Sequence, residues 1–175
     1  MKAILFLFSG LPATGKTTLA KALAQKYNAV YLRIDTVEQG LRDLCHYRVE
    51  GEGYRLSYRL AAENLHLGNH VVADGCNPIL LTRKEWQETA LQCGARYVNI
   101  EVVCSDKTEH RLRVENRTTD IANLSLPTWE EVEKREYHAW DEEVLLIDTA
   151  CRPITDSVNE LYTKVEAYLQ ELPKL

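Results

Sequence analysis

The sequence lacks any apolar stretch of the roughly 18 residues that a membrane-spanning helix needs. Its first apolar run, Ala3 to Phe8, follows a lysine as the core of a signal peptide would, but six residues are too few for such a core. We therefore interpret this run as a buried strand, and we expect no contact with a membrane.

The sequence also lacks the cysteine spacing of a disulfide framework or of a thiolate metal site. Its five cysteines are odd in number and widely scattered, and no two form a C-x-x-C pair. Free thiols are typical of a reducing compartment, so we predict a cytoplasmic protein. The cysteines are Cys45, Cys76, Cys93, Cys104 and Cys151.

An excess of positive charge is missing as well. The chain has 21 basic and 26 acidic residues, so its formal net charge is −5 and its pI is about 5.6. No global field would draw such a protein to nucleic acid or to an anionic membrane. A local basic site remains possible, so a nucleic-acid partner is disfavoured but not excluded by the charge.

Short apolar runs alternate along the chain with segments of helical spacing. A length of 175 residues suits one core, so we assign residues 1–175 to a single domain. Strands separated by long crossovers predict a parallel sheet covered by helices on both faces, which is a three-layer α/β fold with five strands. After the first, the predicted strands are Ala29 to Ile34, Val71 to Ala73, Val98 to Val103 and Val144 to Ile147.

The helical segments fall between these strands. The first contains the helix-forming stretch Leu19 to Ala24, which follows a glycine-rich loop. The later predicted helices are Thr36 to His46, Tyr54 to Leu67, Leu80 to Cys93, Lys107 to Asn116, Trp129 to Trp140 and Ser157 to Leu169.

The most specific pattern is the glycine-rich loop itself, where residues 10–17 read G-x-x-x-x-G-K-T. Its two glycines allow the backbone to fold around a polyphosphate, whose oxygens would face successive N–H groups and a helix N-terminus. Lys16 would reach the β- and γ-phosphates, and the Thr17 hydroxyl would bind Mg²⁺. We therefore predict the cofactors ATP and Mg²⁺, with the nucleotide held by Gly10, Ala13, Thr14, Gly15, Lys16, Thr17 and Thr18.

Two aspartates follow predicted strands, at the edge of the sheet where α/β proteins bind ligands. Asp35 follows the second strand, and a helix beginning near Thr36 would place Asp35, Gln39 and Arg42 on one face. Asp35 would then accept the proton of an attacking hydroxyl while Arg42 binds the acceptor. The alternative is that Asp35 caps the helix, and the two roles are compatible.

Asp74 ends the third predicted strand, where such enzymes hold Mg²⁺ through its water shell. Gly75 follows it in place of the glutamate that motor ATPases use to activate water, so a hydrolytic machine is disfavoured. No N-K-x-D guanine signature occurs either. Asn77 either contacts the acceptor or closes an Asn-Pro turn.

Arg113 and Arg117 lie four residues apart, at the edge of the most loop-like segment of the second half of the chain. We predict a lid of about residues 113–128, from which these arginines would close over the γ-phosphoryl group and neutralise its charge in the transition state. The alternative is a solvated helix with ion pairs to the neighbouring Asp106, Glu109 and Glu115.

Together these motifs resemble the single-domain P-loop kinases of the zeta-toxin, adenylylsulfate kinase and polynucleotide 5′-kinase group. The resemblance implies a nucleoside-kinase-like P-loop NTPase fold with a mobile lid, an acceptor base after the second strand, and a phosphoryl group held by the lysine and a lid arginine. It also implies that the loop from Asp148 to Pro153, with Thr149, borders the adenine. The matching segments are residues 10–18, 34–35, 71–77, 113–117 and 146–149, together with Arg83.

One position departs from that group. Its polynucleotide kinases carry D-x-x-R after the second strand, whereas this chain has Asp35 followed at the arginine position by Glu38. We therefore predict a phosphotransferase that moves the γ-phosphoryl of Mg·ATP to a hydroxyl of a small molecule. The alternatives are a polynucleotide 5′-hydroxyl kinase and a nucleotide-binding regulator or ATPase with a protein partner. The residues assigned to the acceptor are Asp35, Arg42, Asp74, Asn77 and Arg83.

Overall fold

The computed structural model describes residues 2–171 and contains a five-stranded, all-parallel sheet. The strand order is β2-β3-β1-β4-β5, so β1 lies at the centre with β3 and β4 on either side. This arrangement confirms the predicted α/β fold. The strands are β1 (Ile4–Ser9), β2 (Val30–Arg33), β3 (Val71–Asp74), β4 (Arg96–Val103) and β5 (Leu145–Asp148).

Helices cover both faces of this sheet. They are α1 (Lys16–Tyr27), α2 (Ile34–Cys45), α3 (Glu52–His66), α4 (Leu80–Gln92), α5 (Lys107–Asn116), α6 (Trp129–Glu133) and α7 (Ile154–Glu171). Within residues 2–171, none of the helices has both the length and the apolar character that a membrane span requires.

The alternation of side chains along β1 produces the three layers. Successive strand residues point to opposite faces, and every residue of β1 is buried. Phe6 and Phe8 pack on one face with Leu19, Leu23 and Leu161, which belong to α1 and α7. On the other face, Leu5 and Leu7 pack against α2, α3 and α4, through Ile34, Ala61, Leu65, Trp86 and Ala90.

The start of α2 differs from the prediction by two residues. The helix begins at Ile34 with Arg33 as its N-cap, so Asp35 lies in the first turn and does not cap the helix. The carboxylate therefore has no capping role that would hold it against the backbone.

The predicted helix Trp129 to Trp140 is wrong in its second half, because α6 ends at Glu133. The residues after Glu133 are not helical, and they make hydrogen bonds to distant parts of the chain. The His138 N–H donates to the Pro78 carbonyl at 2.8 Å, and the Tyr137 hydroxyl donates to Glu101 Oε1 at 2.7 Å.

Arg83 of α4 binds this non-helical segment from the interior of the protein. Its side chain is buried, its Nε donates to the Asn77 carbonyl at 2.8 Å, and an Nη donates to the His138 carbonyl at 2.8 Å. The guanidinium also lies over the rings of Tyr137 and Trp140, with centroid distances of 4.9 and 4.2 Å. The prediction that Arg83 contacts the acceptor is corrected by this burial.

Asn77 is likewise a structural residue. It is fully buried, its Nδ2 donates to the Phe8 carbonyl at 2.6 Å, and its Oδ1 accepts from Trp86 Nε1 at 3.1 Å. Its φ of 43° lies in the left-handed region that asparagine tolerates in turns. Because both ends of the amide are in use, the prediction that Asn77 contacts the acceptor is corrected, and the alternative role in a turn fits.

Replacing Arg83 by methionine tests this account of the fold. We expect Arg83→Met to lower the free energy of unfolding by roughly 2–4 kcal/mol, because several buried carbonyls lose a charged donor. Urea denaturation followed by circular dichroism measures the change. The matched control is Lys84→Met at the exposed neighbouring position, and equal stability of the two variants would contradict the structural role of Arg83.

Candidate active site

A cleft of 1310 Å³ opens at the carboxyl ends of the parallel strands. Among the predicted nucleotide-binding residues, Gly10 and Thr14 are buried and do not line the cleft. Among the predicted acceptor residues, Asn77 and Arg83 lie outside it for the reasons given above. The predicted site residues that do line it are Ala13, Gly15, Lys16, Thr17, Thr18, Asp35, Arg42, Asp74, Arg113, Arg117 and Thr149.

The glycine-rich loop depends on a backbone that only glycine allows at its first position. Gly10 has a φ of 133°, and a Cβ there would lie 2.1 Å from the Val102 carbonyl oxygen of β4. Such an approach requires glycine. The Gly10 N–H donates to the Cys76 carbonyl at 3.1 Å, which ties the loop to the residues after β3.

The loop leads directly into the N-terminus of α1. Gly15 is the N-cap residue, with a φ of 100° and no side chain to accept from the first N–H groups of the helix. These donors are therefore available to an anion, and the helix dipole favours one. Lys16 Nζ donates to the Leu11 carbonyl at 2.7 Å, so the ammonium lies within the curve of the loop.

Thr17 and Asp74 form the oxygen pair that was predicted to hold a metal. Thr17 Oγ1 donates to Asp74 Oδ2 at 2.8 Å, and the Tyr31 hydroxyl donates to the same oxygen at 2.6 Å. Burial raises the pKa of Tyr31, and the neighbouring Asp74 charge raises it further. A hydroxyl beside a carboxylate fits the oxygen ligands of Mg²⁺, whose remaining ligands are usually waters and phosphates.

Gly75 leaves no room for a longer side chain beside this pair. A Cβ at position 75 would lie 2.8 Å from Ile34 Cγ1 and 3.3 Å from Asn77 Nδ2, and both neighbours are buried. A glutamate that activates water could not occupy this position without displacing the core. The packing therefore supplies a physical reason for the glycine noted in the sequence.

Asp35 lies where the cleft meets a second cavity. This smaller cavity has a volume of 370 Å³, and Asp35, Glu38, Cys76 and Arg135 line both spaces. The Asp35 side chain is exposed and has no hydrogen-bond partner among residues 2–171. A free carboxylate at the junction of two cavities can accept a proton from a hydroxyl group that enters from the smaller one.

Arg42 lines the cleft on the same helix but is already paired. Its Nη2 donates to Glu38 Oε2 at 3.2 Å and its Nη1 to Gln39 Oε1 at 3.3 Å. Burial raises the pKa of Glu38, and the charge of Arg42 opposes that shift. Arg42 therefore positions Glu38, while its predicted contact with the acceptor stays a prediction.

The two predicted lid arginines have different surroundings. Arg113 donates to the Thr149 hydroxyl and carbonyl, both at 2.8 Å, and to Glu109 Oε1 at 2.6 Å. Thr149 Oγ1 donates in turn to the Thr14 carbonyl at 2.8 Å, so Arg113 is fixed to the nucleotide loop. The ion pair with Glu109 fits the alternative considered for the sequence.

Arg117 terminates α5 and lines the cleft. Its buried Nε finds no hydrogen-bond partner in the described part of the chain. Burial lowers the pKa of Arg117, and the Asp35 charge opposes that shift, so the two side chains share one electrostatic environment. Of the two arginines, Arg117 is the one with donors free for a ligand.

The predicted lid begins later than expected, because residues 113–116 belong to α5. The following segment, residues 117–128, contains no helix or strand and contributes most of its residues to the cleft wall. It is fastened by Asp120, which accepts from Arg33 Nη1 at 2.6 Å and from Lys21 Nζ at 3.1 Å. We call Lys21, Arg33 and Asp120 the clasp.

Sequence reasoning missed the clasp, the Tyr31 bond to Asp74 and the contribution of Glu38 to the cavity wall. The clasp joins residues 87 and 99 positions apart, for which a single sequence carries no signal. Tyr31 and Arg33 could have been predicted to lie near the site. They are alternate residues of the strand that precedes Asp35, so they share one face of the sheet.

Comparison with known proteins gives the family of this chain and shows which proteins share its fold. The model of the AAA_33 family, described as an AAA domain, matches residues 5–135. No curated protein matches the sequence. Solved structures match across the whole fold at low identity, which supports the fold alone.

Three of these structures illustrate the proteins that share the fold. A gluconokinase from Sinorhizobium meliloti is 13% identical, with a TM-score of 0.67 over 97% of this chain and 98% of that one. The Mycobacterium tuberculosis APS kinase CysC, in complex with AMPPNP and APS, is 16% identical, with a TM-score of 0.64 over 94% and 98%. Chaetomium thermophilum Kti12, in complex with ADP-AlF3, is 20% identical, with a TM-score of 0.67 over 93% and 97%.

Replacing Asp120 by asparagine tests the clasp. We expect Asp120→Asn to raise hydrogen–deuterium exchange in residues 117–128, because the segment loses its ion pairs with Arg33 and Lys21. The increase should be only roughly two- to tenfold, because exposed ion pairs are individually weak. Hydrogen bonds from Arg33 and Lys21 lower the pKa of Asp120, so the clasp is ionised at neutral pH and weakens only as the pH falls below the usual carboxylate value of about 4.

The control for this experiment is Glu130→Gln, an exposed position on the neighbouring α6. It removes a carboxylate near the lid without touching the clasp. Unchanged exchange in Asp120→Asn at neutral pH would mean that other contacts hold this segment in place.

Proposed function

This chain belongs to the AAA_33 family of AAA domains, and we propose that it is an ATP-dependent phosphotransferase that moves the γ-phosphoryl group of Mg·ATP to a hydroxyl of a small-molecule acceptor. The kinase fold of its structural neighbours supports the reaction class. The observation that carries the proposal is Asp35, a free carboxylate at the junction between the phosphate cleft and a second cavity.

The nucleotide would lie along the glycine-rich loop. The N–H groups at the start of α1 and the Lys16 ammonium would bind its phosphate oxygens, and Thr17 with Asp74 would hold Mg²⁺. When bound, Mg²⁺ neutralises charge on the β- and γ-phosphates. The loop after β5 would border the base, with Arg113 fixing that loop through Thr149.

Transfer would proceed in line and without a covalent enzyme intermediate. The acceptor oxygen bonds to the γ-phosphorus while the bond to the β,γ-bridging oxygen breaks, so ADP leaves with that electron pair. Asp35 accepts the proton of the acceptor hydroxyl, and Arg117 donates to oxygens whose charge changes in the transition state. Segment 117–128 excludes water from the cleft.

A small acceptor is favoured over a polynucleotide by charge and by size. The second cavity of 370 Å³ suits a small molecule, and Glu38 stands where polynucleotide kinases of the resembled group carry an arginine. The net charge of −5 also opposes a polyanion. Phosphorylation of an oligonucleotide that weakens with the logarithm of salt concentration would favour the polynucleotide alternative.

A nucleotide-binding regulator or ATPase with a protein partner is the second candidate, because the structural neighbour Kti12, in complex with ADP-AlF3, is not named as a kinase. Acceptor-dependent release of ADP separates the two candidates. The experiment is a screen of sugars, nucleosides, aminoglycosides and oligonucleotides for ATP-dependent phosphorylation. We expect at least one small hydroxyl compound to stimulate ADP release, and stimulation only by protein partners would support the regulator.

The variant Asp35→Asn separates binding from chemistry. It touches none of the loop contacts, so we expect normal affinity for Mg·ATP by calorimetry. Transfer to the acceptor found in the screen should fall by roughly a hundredfold or more, because the proton acceptor is lost. Asp141→Asn, at an exposed position outside the cleft, is the matched control. Full transfer activity in Asp35→Asn would overturn the assignment of the base.

The pair Arg117→Ala and Arg113→Ala separates the two lid arginines. We expect Arg117→Ala to lower kcat by roughly a hundredfold with little change in ATP affinity, because its donors act mainly in the transition state. Arg113→Ala should weaken ATP binding more than it lowers kcat, because it fixes the loop that borders the nucleotide. Steady-state kinetics and equilibrium binding distinguish these patterns, and the reverse assignment of effects would exchange the two roles.

A further inference from the structure

The wall of the smaller cavity contains more acidic than basic side chains. Its charged wall residues are Asp35, Glu38, Glu50, Arg55, Glu85 and Arg135, of which four are carboxylates and two are guanidiniums. Arg55 and Arg135 are both exposed, and Arg135, whose Nη1 donates to Cys76 Sγ at 3.9 Å, lines the junction of the two cavities with Asp35 and Glu38. The half-buried charged residues of the wall, Glu38 and Glu85, are both acidic.

Two contacts hold Glu38 at the end of this cavity that meets the cleft. A Cβ at position 53 would lie 2.3 Å from Glu38 Cγ, so Gly53 allows the side chain to pack directly against α3. Arg42 Nη2 binds only one of its oxygens, Oε2, at 3.2 Å. The other oxygen, Oε1, has no hydrogen-bond partner among residues 2–171 and remains available to a ligand.

Asp35 and Glu38 act together, since they are three residues apart on α2 and line both cavities. An acceptor hydroxyl that reaches Asp35 brings its neighbouring atoms next to Glu38. A phosphate or carboxylate against Glu38 Oε1 would meet like charge in a partly desolvated space, a repulsion that Arg135 at the junction offsets only in part, whereas an ammonium would pair with Glu38.

We propose, on the basis of the proposed phosphotransferase function, that Glu38 is a specificity residue that selects acceptors with an ammonium group close to the reacting hydroxyl. Amino alcohols and amino sugars have this chemistry. Arg42 keeps Glu38 in place, and Gly53 gives it room. Next to Glu38, sugar phosphates and sugar acids of similar size bind less well than their amino counterparts.

Matched ligands test this selectivity by binding, without any need for turnover. The probes are glucosamine, glucose and glucuronate, with 2-aminoethanol, ethylene glycol and glycolate as a smaller set. Each is titrated by saturation-transfer NMR into the protein with Mg·AMPPNP. We expect the ammonium member of at least one set to bind roughly tenfold or more tightly than its neutral and anionic counterparts.

Two variants connect the selectivity to Glu38. Glu38→Gln should abolish the preference for the ammonium ligand, and Gly53→Ala should weaken it by displacing the side chain while keeping its charge. Glu63→Gln, at an exposed position on α3 outside both cavities, is the matched control and should bind like the wild type. Unchanged AMPPNP affinity in each variant verifies that the nucleotide site is intact.

Equal or tighter binding of the neutral or anionic ligands, no binding of any ammonium probe, or an unchanged preference in Glu38→Gln would overturn the proposal. The same ligands are assayed for ADP release. Ammonium-selective binding that depends on Glu38, without transfer to any ligand in the wider screen, would instead contradict the proposed phosphotransferase function. The two failures are therefore distinguishable.

Discussion

Hydrogen bonds to neighbouring strand ends hold the glycine-rich loop in the form on which the rest of the site depends. Gly10 bonds to the carbonyl of Cys76, Thr17 bonds to Asp74, and the Thr14 carbonyl accepts from Thr149. The parallel register makes this possible, because it places the ends of β1, β3, β4 and β5 side by side. A loop held in this way presents its N–H groups to an anion without reorganisation, which is the condition for electrostatic stabilisation.

The charged side chains of the cleft fit the direction of the proposed transfer. Lys16 lies at the N-terminus of α1 and Arg117 at the start of the lid, whereas Asp35 and Glu38 line the junction with the smaller cavity together with Arg135. A phosphoryl group would thus leave a positive environment for a hydroxyl held by carboxylates. The clasp at Asp120 joins these two sides, since Lys21 belongs to α1 and Arg33 precedes α2.

The predictable parts of this protein are those encoded locally. The buried strand β1 and the helix that follows the glycine-rich loop each depend on adjacent residues, and both were correctly predicted from them. Asn77 was left between the acceptor and a turn because a polar residue after a strand end looks the same in sequence whether it faces a ligand or the core. Arg83 was assigned to the acceptor through the resemblance, and its burial within α4 depends on residues far away in the sequence. The end of α6 was missed because it depends on the distant Pro78 carbonyl, which accepts from the His138 N–H.

The central claim is that the γ-phosphoryl group moves to a hydroxyl and not to water. The most direct measurement follows the label from ATP carrying ³²P at the γ-position, in the presence of Mg²⁺ and the acceptor found by screening, and separates phosphorylated acceptor from inorganic phosphate. The account predicts that ATP consumption requires the acceptor and that most of the label is recovered in its phosphoester. Consumption that is independent of the acceptor, with the label entirely in inorganic phosphate, would contradict it.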